Sequence, residues 1–278
     1  MYIDWGSQAY HELVELCLLS NRESYVNLAT ISELQLKAIL TSSPRLRIFR
    51  FGIMVLSDIR PILPTGNAIV PVQLDDLQIL DLDLEQRSED SLRYVLRLVS
   101  PGSKPLKLLL PRSRGTVSGT DLVARNRPEI DNFLMCAKVT ELCLYVRNIS
   151  PDWLFASASH LQTPCVWFNA ASGSGNPTFV DQDELSLSIP PGSINRLYIV
   201  SSNLRMDTLC QWLSRFPPIQ TLVFWKCGFR FAGQHIIGAD KLLCHPQLLN
   251  ICSTVKCIPA SDGYIPMTGW GPSHGYAY

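Results

Sequence analysis

The chain has no excess of charge of either sign: 24 Lys and Arg balance 24 Asp and Glu over 278 residues. No overall field therefore draws it to nucleic acid or to an anionic membrane, and neither is expected among its partners. Long hydrophobic runs are also lacking. The densest apolar patch, "IFRFGIMVL", is interrupted by Arg50 and is far too short to span a bilayer. The first residues, "MYIDWGSQAYHELVEL", show no basic run leading into an apolar stretch and a small-residue cleavage site, so they do not read as a signal peptide.

The signatures of catalysis and metal binding are missing as well. The glycines of "GTVSGT" and "SGSGNP" lack both the following Lys-Ser/Thr and the GxGxxG frame of a phosphate loop, and read as loop glycines. "CHPQLLNICSTVKC" carries Cys244, His245, Cys252 and Cys257 without paired CxxC spacing, while its Leu248, Leu249 and Ile251 read as core, so no metal is expected. His11, His160, His235 and His274 stand far apart, and a histidine without a partner is more often structural than a general base. The nine cysteines are odd in number, and most, such as Cys17, Cys143 and Cys210, lie inside apolar segments. They read as small buried hydrophobes of a reducing compartment, cytoplasm or nucleus. No cofactor and no catalytic activity are expected.

A repeat is present instead. The pattern of an aliphatic residue, two others, an apolar residue, one other, and a further apolar residue recurs at Leu13/Leu16/Leu18, Leu46/Phe49/Phe51, Leu77/Leu80/Leu82, Val139/Leu142/Leu144, Ile194/Leu197/Ile199 and Ile219/Leu222/Phe224. Poorer copies lie near Leu106 and Val166, and "HPQLLNICSTVKC" reads as a degraded last repeat or a capping helix. Between copies the period lengthens to that of a helix. Leu92, Val95, Leu96 and Val99 form one stripe, Ile130, Phe133, Leu134 and Ala137 a second, and Leu209, Trp212, Leu213 and Phe216 a third. Ser32 to Gln35 has the form of a capping box, and Pro151 after Ser150 is a helix start.

Strand-then-helix alternation also fits a doubly wound sheet, which would make the chain a compact α/β enzyme with Asp81, Asp83 or a histidine in a cleft. The strands argue for the other solution. Central strands of a doubly wound sheet are continuous apolar runs, whereas "LDLDLE", "ELCLYVR" and "NRLYIVSS" alternate, and no glycine-rich turn follows any of them. The fold class expected is α/β, a leucine-rich-repeat solenoid with a curved parallel sheet on its concave side and irregular helices on its convex side.

The six copies resemble leucine-rich repeats. Asn21 and Cys227 occupy the position that closes the consensus strand, where Met54, Glu85, Arg147 and Ser202 stand in the other copies. With the cadence of "SSPRLRIFRFG" and "LDDLQILDLDLE", residues 13–227 resemble the repeat region of fungal F-box/leucine-rich-repeat proteins. That resemblance implies the substrate-recognition part of an F-box-like ubiquitin-ligase adaptor, with ligase scaffold subunits as partners if an F-box lies outside this chain. A strand-like segment begins soon after Met1, which leaves no room for an F-box and shows no obvious N-terminal cap. The repeat domain is expected over residues 1–258, as about seven to eight repeats, followed by a flexible tail over 259–278. The segments 112–126 and 170–184 read as inter-repeat insertions.

Period-two alternation assigns the residues of the outward sheet face. They are Glu15 and Cys17; Ile48 and Arg50; Ile79, Asp81 and Asp83; Glu141, Cys143 and Tyr145; Arg196, Tyr198 and Val200; Thr221, Val223 and Trp225. Asp81 and Asp83 share a face about 7 Å apart, as an acid/base pair or as a solvated stripe. A protein target is expected to bind through Arg50, Asp81, Asp83, Glu141, Tyr145, Arg196, Tyr198 and Trp225, because Tyr, Trp and Arg are the types enriched at interface hot spots. The competing arrangement has the aromatics packed against one another or beneath the insertions. An interaction scaffold outside the ubiquitin system fits the same features.

Overall fold

The computed structural model describes residues 4–19, 29–56, 70–83, 89–110, 125–146, 151–168, 194–200, 203–225, 227–230 and 246–258. The chain divides into two units, Met1–Tyr145 with Ser157–Leu161 and Val146–Ala156 with Gln162–Tyr278. Among the described residues the fold is α/β, with nine strands in a large parallel sheet that does not close.

In the first unit the sheet strands are β1 (Glu15–Leu19), β3 (Ile48–Gly52), β6 (Ile79–Leu82), β8 (Leu106–Leu109) and β9 (Val139–Val146), paired in chain order. Shorter strands lie off this sheet: β2 (Thr30–Ser32) pairs with β4 (Met54–Leu56), and β5 (Val72–Leu74) with β7 (Val99–Pro101). Register places the repeated apolar positions in columns. Leu16, Phe49, Leu80, Leu108 and Leu142 are successive partners, as are Leu18, Phe51 and Leu82. All eight are buried, and each contributes about 1.5–3 kcal/mol relative to exposure. A one-residue slip of any strand would turn these side chains to the other face, so the columns themselves hold the register.

The helices bury the stripes that the spacing predicts. Leu92, Val95 and Leu96 face inward from helix Glu89–Leu98, and Ile130, Phe133 and Leu134 from helix Arg127–Cys136. Val99 is buried as well, but it opens β7 rather than ending the helix. Helix Glu33–Thr41 starts at the expected capping box, with Gln35 N donating to Ser32 Oγ at 3.2 Å and Ser32 N to Gln35 Oε1 at 3.0 Å. Buried Ser91 accepts from Val55 N at 2.8 Å, which fastens helix Glu89–Leu98 to β4.

The N-terminal segment is better anchored than its sequence suggests. Trp5 Nε1 donates to Thr30 O at 3.1 Å, Glu12 N donates to Ser42 O at 2.8 Å, and buried Ser43 Oγ joins Tyr10 O to Leu13 N. No hydrophobic period marks residues 4–14, because their anchors are indole, hydroxyl and backbone groups rather than an apolar stripe.

In the second unit the sheet strands are β10 (Thr163–Phe168), β11 (Ile194–Val200), β13 (Ile219–Trp225) and β15 (Cys252–Ile258), again paired in chain order. Between β11 and β13 and after β13 come the short β12 (Asn203–Arg205) and β14 (Gly228–Arg230), paired with each other. This unit has columns of its own: Leu197, Leu222 and Val255, and Val166, Ile199, Phe224 and Cys257. Leu209, Trp212 and Leu213 of helix Met206–Leu213 are buried, and Trp212 packs edge-on to Phe216 at 4.5 Å. Helix Pro151–Ser157 starts on its proline. The weak copies near Leu106 and Val166 are strands β8 and β10, and the ambiguous "HPQLLNICSTVKC" supplies both helix Pro246–Ile251 and strand β15. The segment 259–278 and nearly all of both insertions lie outside the described residues.

Candidate binding surface

In the first unit the outward face carries charged side chains that form ion pairs with one another. Parallel register sets Cys17, Arg50, Asp81, Leu109 and Cys143 in one row, and Glu15, Ile48, Ile79, Lys107 and Glu141 in the row beside it. Arg50 Nη1 lies 3.3 Å from Glu15 Oε1, and Lys107 Nζ lies 3.0 Å from Glu141 Oε1. Lys107 belongs to the weak repeat copy, which is why alternation read from the strong copies passed over it. Opposite charges on neighbouring strands stabilise a sheet modestly, and each pair here is partly solvent-screened.

Asp81 and Asp83 are both half-buried, and Asp83 N donates to Phe51 O at 2.8 Å. Gly52 is needed at this point. A Cβ there would stand 2.8 Å from Asp83 O and 3.0 Å from Leu19 Cδ2, so the strands meet in a close backbone approach. Desolvation pushes the Cys17 thiol above its ordinary value, against the pull of the Arg50 guanidinium and with the help of Glu15. A thiol shifted that way is a poorer nucleophile near neutral pH. The face is not polar throughout, because Leu109 and Cys143 are buried at its far end.

In the second unit the face changes character along the strands. The row Arg196, Thr221 and Thr254 is in register, and Thr163 precedes Cys165 as Arg196 precedes Tyr198. Arg196 and Thr254 are exposed, with Thr163 and Thr221 half-buried. Next comes Cys165, Tyr198, Val223 and Lys256, of which Lys256 alone is exposed. Val200 and Trp225 follow, both buried.

Two of the expected hot-spot rings are therefore not solvent-facing: Tyr198 is 6% exposed and Trp225 3%. Alternation selects the face of a sheet and is silent on whether that face is covered, and here the rings share rows with Cys165, Val200 and Val223, which are buried too. The side chain of Tyr145 lies outside the described residues. Of the proposed contact residues, Arg50, Asp81, Asp83, Glu141 and Arg196 keep at least partial exposure.

Other candidates resolve into structure. Cys227 Sγ donates to Ile199 O at 3.3 Å, tying the turn after β13 to the neighbouring strand. Cys252 Sγ donates to Leu248 O at 3.0 Å, and burial, with Cys210 adding to it, pushes that thiol to about 11. Cys244 and His245 lie outside the described residues. Among the described residues no group of three or more His, Cys, Asp or Glu is placed to hold a metal, and no helix is long and apolar enough to cross a membrane. No family model matches the chain, and neither a curated protein nor a solved structure does.

Proposed function

We propose that the chain is an irregular leucine-rich-repeat solenoid, without catalytic activity of its own, that binds a protein target through the outward face of its parallel sheet. The register columns carry this reading: the second apolar positions Leu16, Phe49, Leu80 and Leu142 share one column through Leu108, the third positions Leu18, Phe51 and Leu82 share another, and Ile194, Leu197 and Ile199 pair with Ile219, Leu222 and Phe224, in chain order within each unit. A doubly wound sheet would instead reverse its strand order at a switch point. The Cys227 thiol supports the same reading, since it bonds backbone at the position where the repeat consensus has asparagine or cysteine.

By that resemblance the solenoid is the substrate-recognition part of an F-box-like ubiquitin-ligase adaptor in cytoplasm or nucleus, holding a target near a catalytic machine supplied by other subunits. Retention from fungal lysate, read by mass spectrometry, tests it beside a variant with Arg50→Glu, Asp81→Arg and Arg196→Glu together. Enrichment of ubiquitin-ligase scaffold subunits supports the adaptor role. A specific protein recovered without them, and lost in the folded variant, keeps the binding surface and removes the ligase. An identical set retained by chain and variant refutes binding through this face.

A further inference from the structure

The two units treat the cations of their outward faces differently. In the first, Arg50 and Lys107 each lie beside a carboxylate, Glu15 and Glu141. In the second, exposed Arg196 and Lys256 have no carboxylate partner among the described residues, and none of the described positions on that face is Asp or Glu. Threonines flank Arg196 in the sheet: Thr221 is its register partner on one side, Thr163 precedes Cys165 on the other as Arg196 precedes Tyr198, and Thr254 stands one strand further. A guanidinium between threonines, with an ammonium on the same face and no competing anion among the described residues, offers donors and positive charge.

We propose that Arg196, Lys256 and the threonine row form an anion-recognition strip that takes an acidic, extended segment of a protein partner. Spacing selects a pair of carboxylates over a single phosphate. Arg196 on β11 and Lys256 on β15 are two strands and one face position apart, so at about 4.8 Å per strand and about 7 Å per face position their Cβ atoms stand roughly 12 Å apart. One phosphate needs donors that converge. Two cations so far apart suit two carboxylates on one extended chain, about three or four residues apart at roughly 3.3 Å each. This assignment rests on the protein-binding reading and adds to it the chemistry of the partner.

Fluorescence anisotropy with the full chain tests it, using labelled Gly/Ser peptides that carry two glutamates with three residues between them. Matched peptides carry two glutamines, two lysines, or one phosphoserine. Binding of the glutamate pair is expected at low salt, weakened about tenfold by Arg196→Gln and again by Lys256→Gln, and suppressed by high salt. Both side chains are exposed, and circular dichroism of the variants verifies the fold. Equal binding by the variants, binding of the glutamine peptide as well as the glutamate one, or no binding of the glutamate pair overturns the strip. Tighter binding of phosphoserine overturns the carboxylate pairing. Reversing Arg50 and Asp81 alone leaves this strip intact, so loss of a captured partner in that variant reports on the protein-binding reading separately.

Discussion

The most informative perturbation is at Glu33 and Arg97. Glu33 opens helix Glu33–Thr41 and is 1% exposed, yet it carries a charge. Its Oε1 accepts from Arg97 Nη2 at 2.6 Å, and Arg97 reaches over from helix Glu89–Leu98 with its guanidinium 5.2 Å from the Tyr94 ring centroid. The pair is incompletely solvated by protein: Glu33 Oε2 and Arg97 Nε are buried without a hydrogen-bond partner among the described residues. Such a pair adds little beyond an apolar one, but breaking it from one side strands a buried charge, at about 3–5 kcal/mol when both partners are fully buried. The Arg97 side chain is 34% exposed, so water screens part of this and about 2–3 kcal/mol is expected for Arg97→Met. At about 2–4 °C per kcal/mol for a unit of this size, the melting point should fall by roughly 4–12 °C. The double variant Glu33→Leu, Arg97→Met should return to within about 1 kcal/mol of the parent, the remainder being the favourable carboxylate at the helix N-terminus. Urea unfolding followed by circular dichroism measures all members of the cycle. Equal losses in the single and double variants, or losses below about 0.5 kcal/mol in both, would refute the buried-charge account.

Three further outcomes follow from the packing. Trp225→Ala should cost about 3–5 kcal/mol in urea unfolding, because the ring is 3% exposed; a stable variant with a specific binding defect would return the ring to the surface. Gly52→Ala should cost about 1–3 kcal/mol by the same measurement, since a Cβ meets Asp83 O at 2.8 Å, and a neutral result would show that the strands separate freely. The Cys252 thiol is raised from 9.0 to about 11, so the native state favours its protonated form. Its contribution to stability is complete below about pH 9 and is lost as pH rises toward 11, so Cys252→Ala should flatten the fall in stability between those values; identical pH profiles for parent and variant would contradict the assignment.

Much of the fold is legible because the chain states it repeatedly. Each apolar triplet is short, but period two inside the copies and a helical period between them fix strand and helix together, and the buried columns from Leu16 to Leu142 realise that pattern. Even the weak copies follow it. "PLKLLLPRS" and "PCVWFNA" form strands although their flanks spoil the consensus, because pairing with stronger neighbours supplies the hydrogen bonds and apolar partners that local sequence leaves open. The N-terminal anchors were not legible: a hydrogen bond from Trp5 to Thr30, or from Ser43 to Tyr10, links residues with no periodic relation.

The outward face shows where periodicity stops informing. Alternation places Arg50, Asp81, Arg196, Tyr198 and Trp225 on one face of their strands and assigns all of them the same environment. The difference between exposed Arg196 and buried Tyr198, two residues later on one strand, depends on what else packs against that face. Side-chain chemistry narrows it. An arginine without a carboxylate in its row must keep its charge in water, whereas a tyrosine in a row with Cys165 and Val223 gains by leaving water. Reading across strands rather than along them therefore separates the two environments. The charged rows of the first unit and the Arg196 row of the second keep side chains in water, whereas Cys165, Tyr198 and Val223, and beyond them Val200 and Trp225, are buried, with exposed Lys256 ending the Tyr198 row.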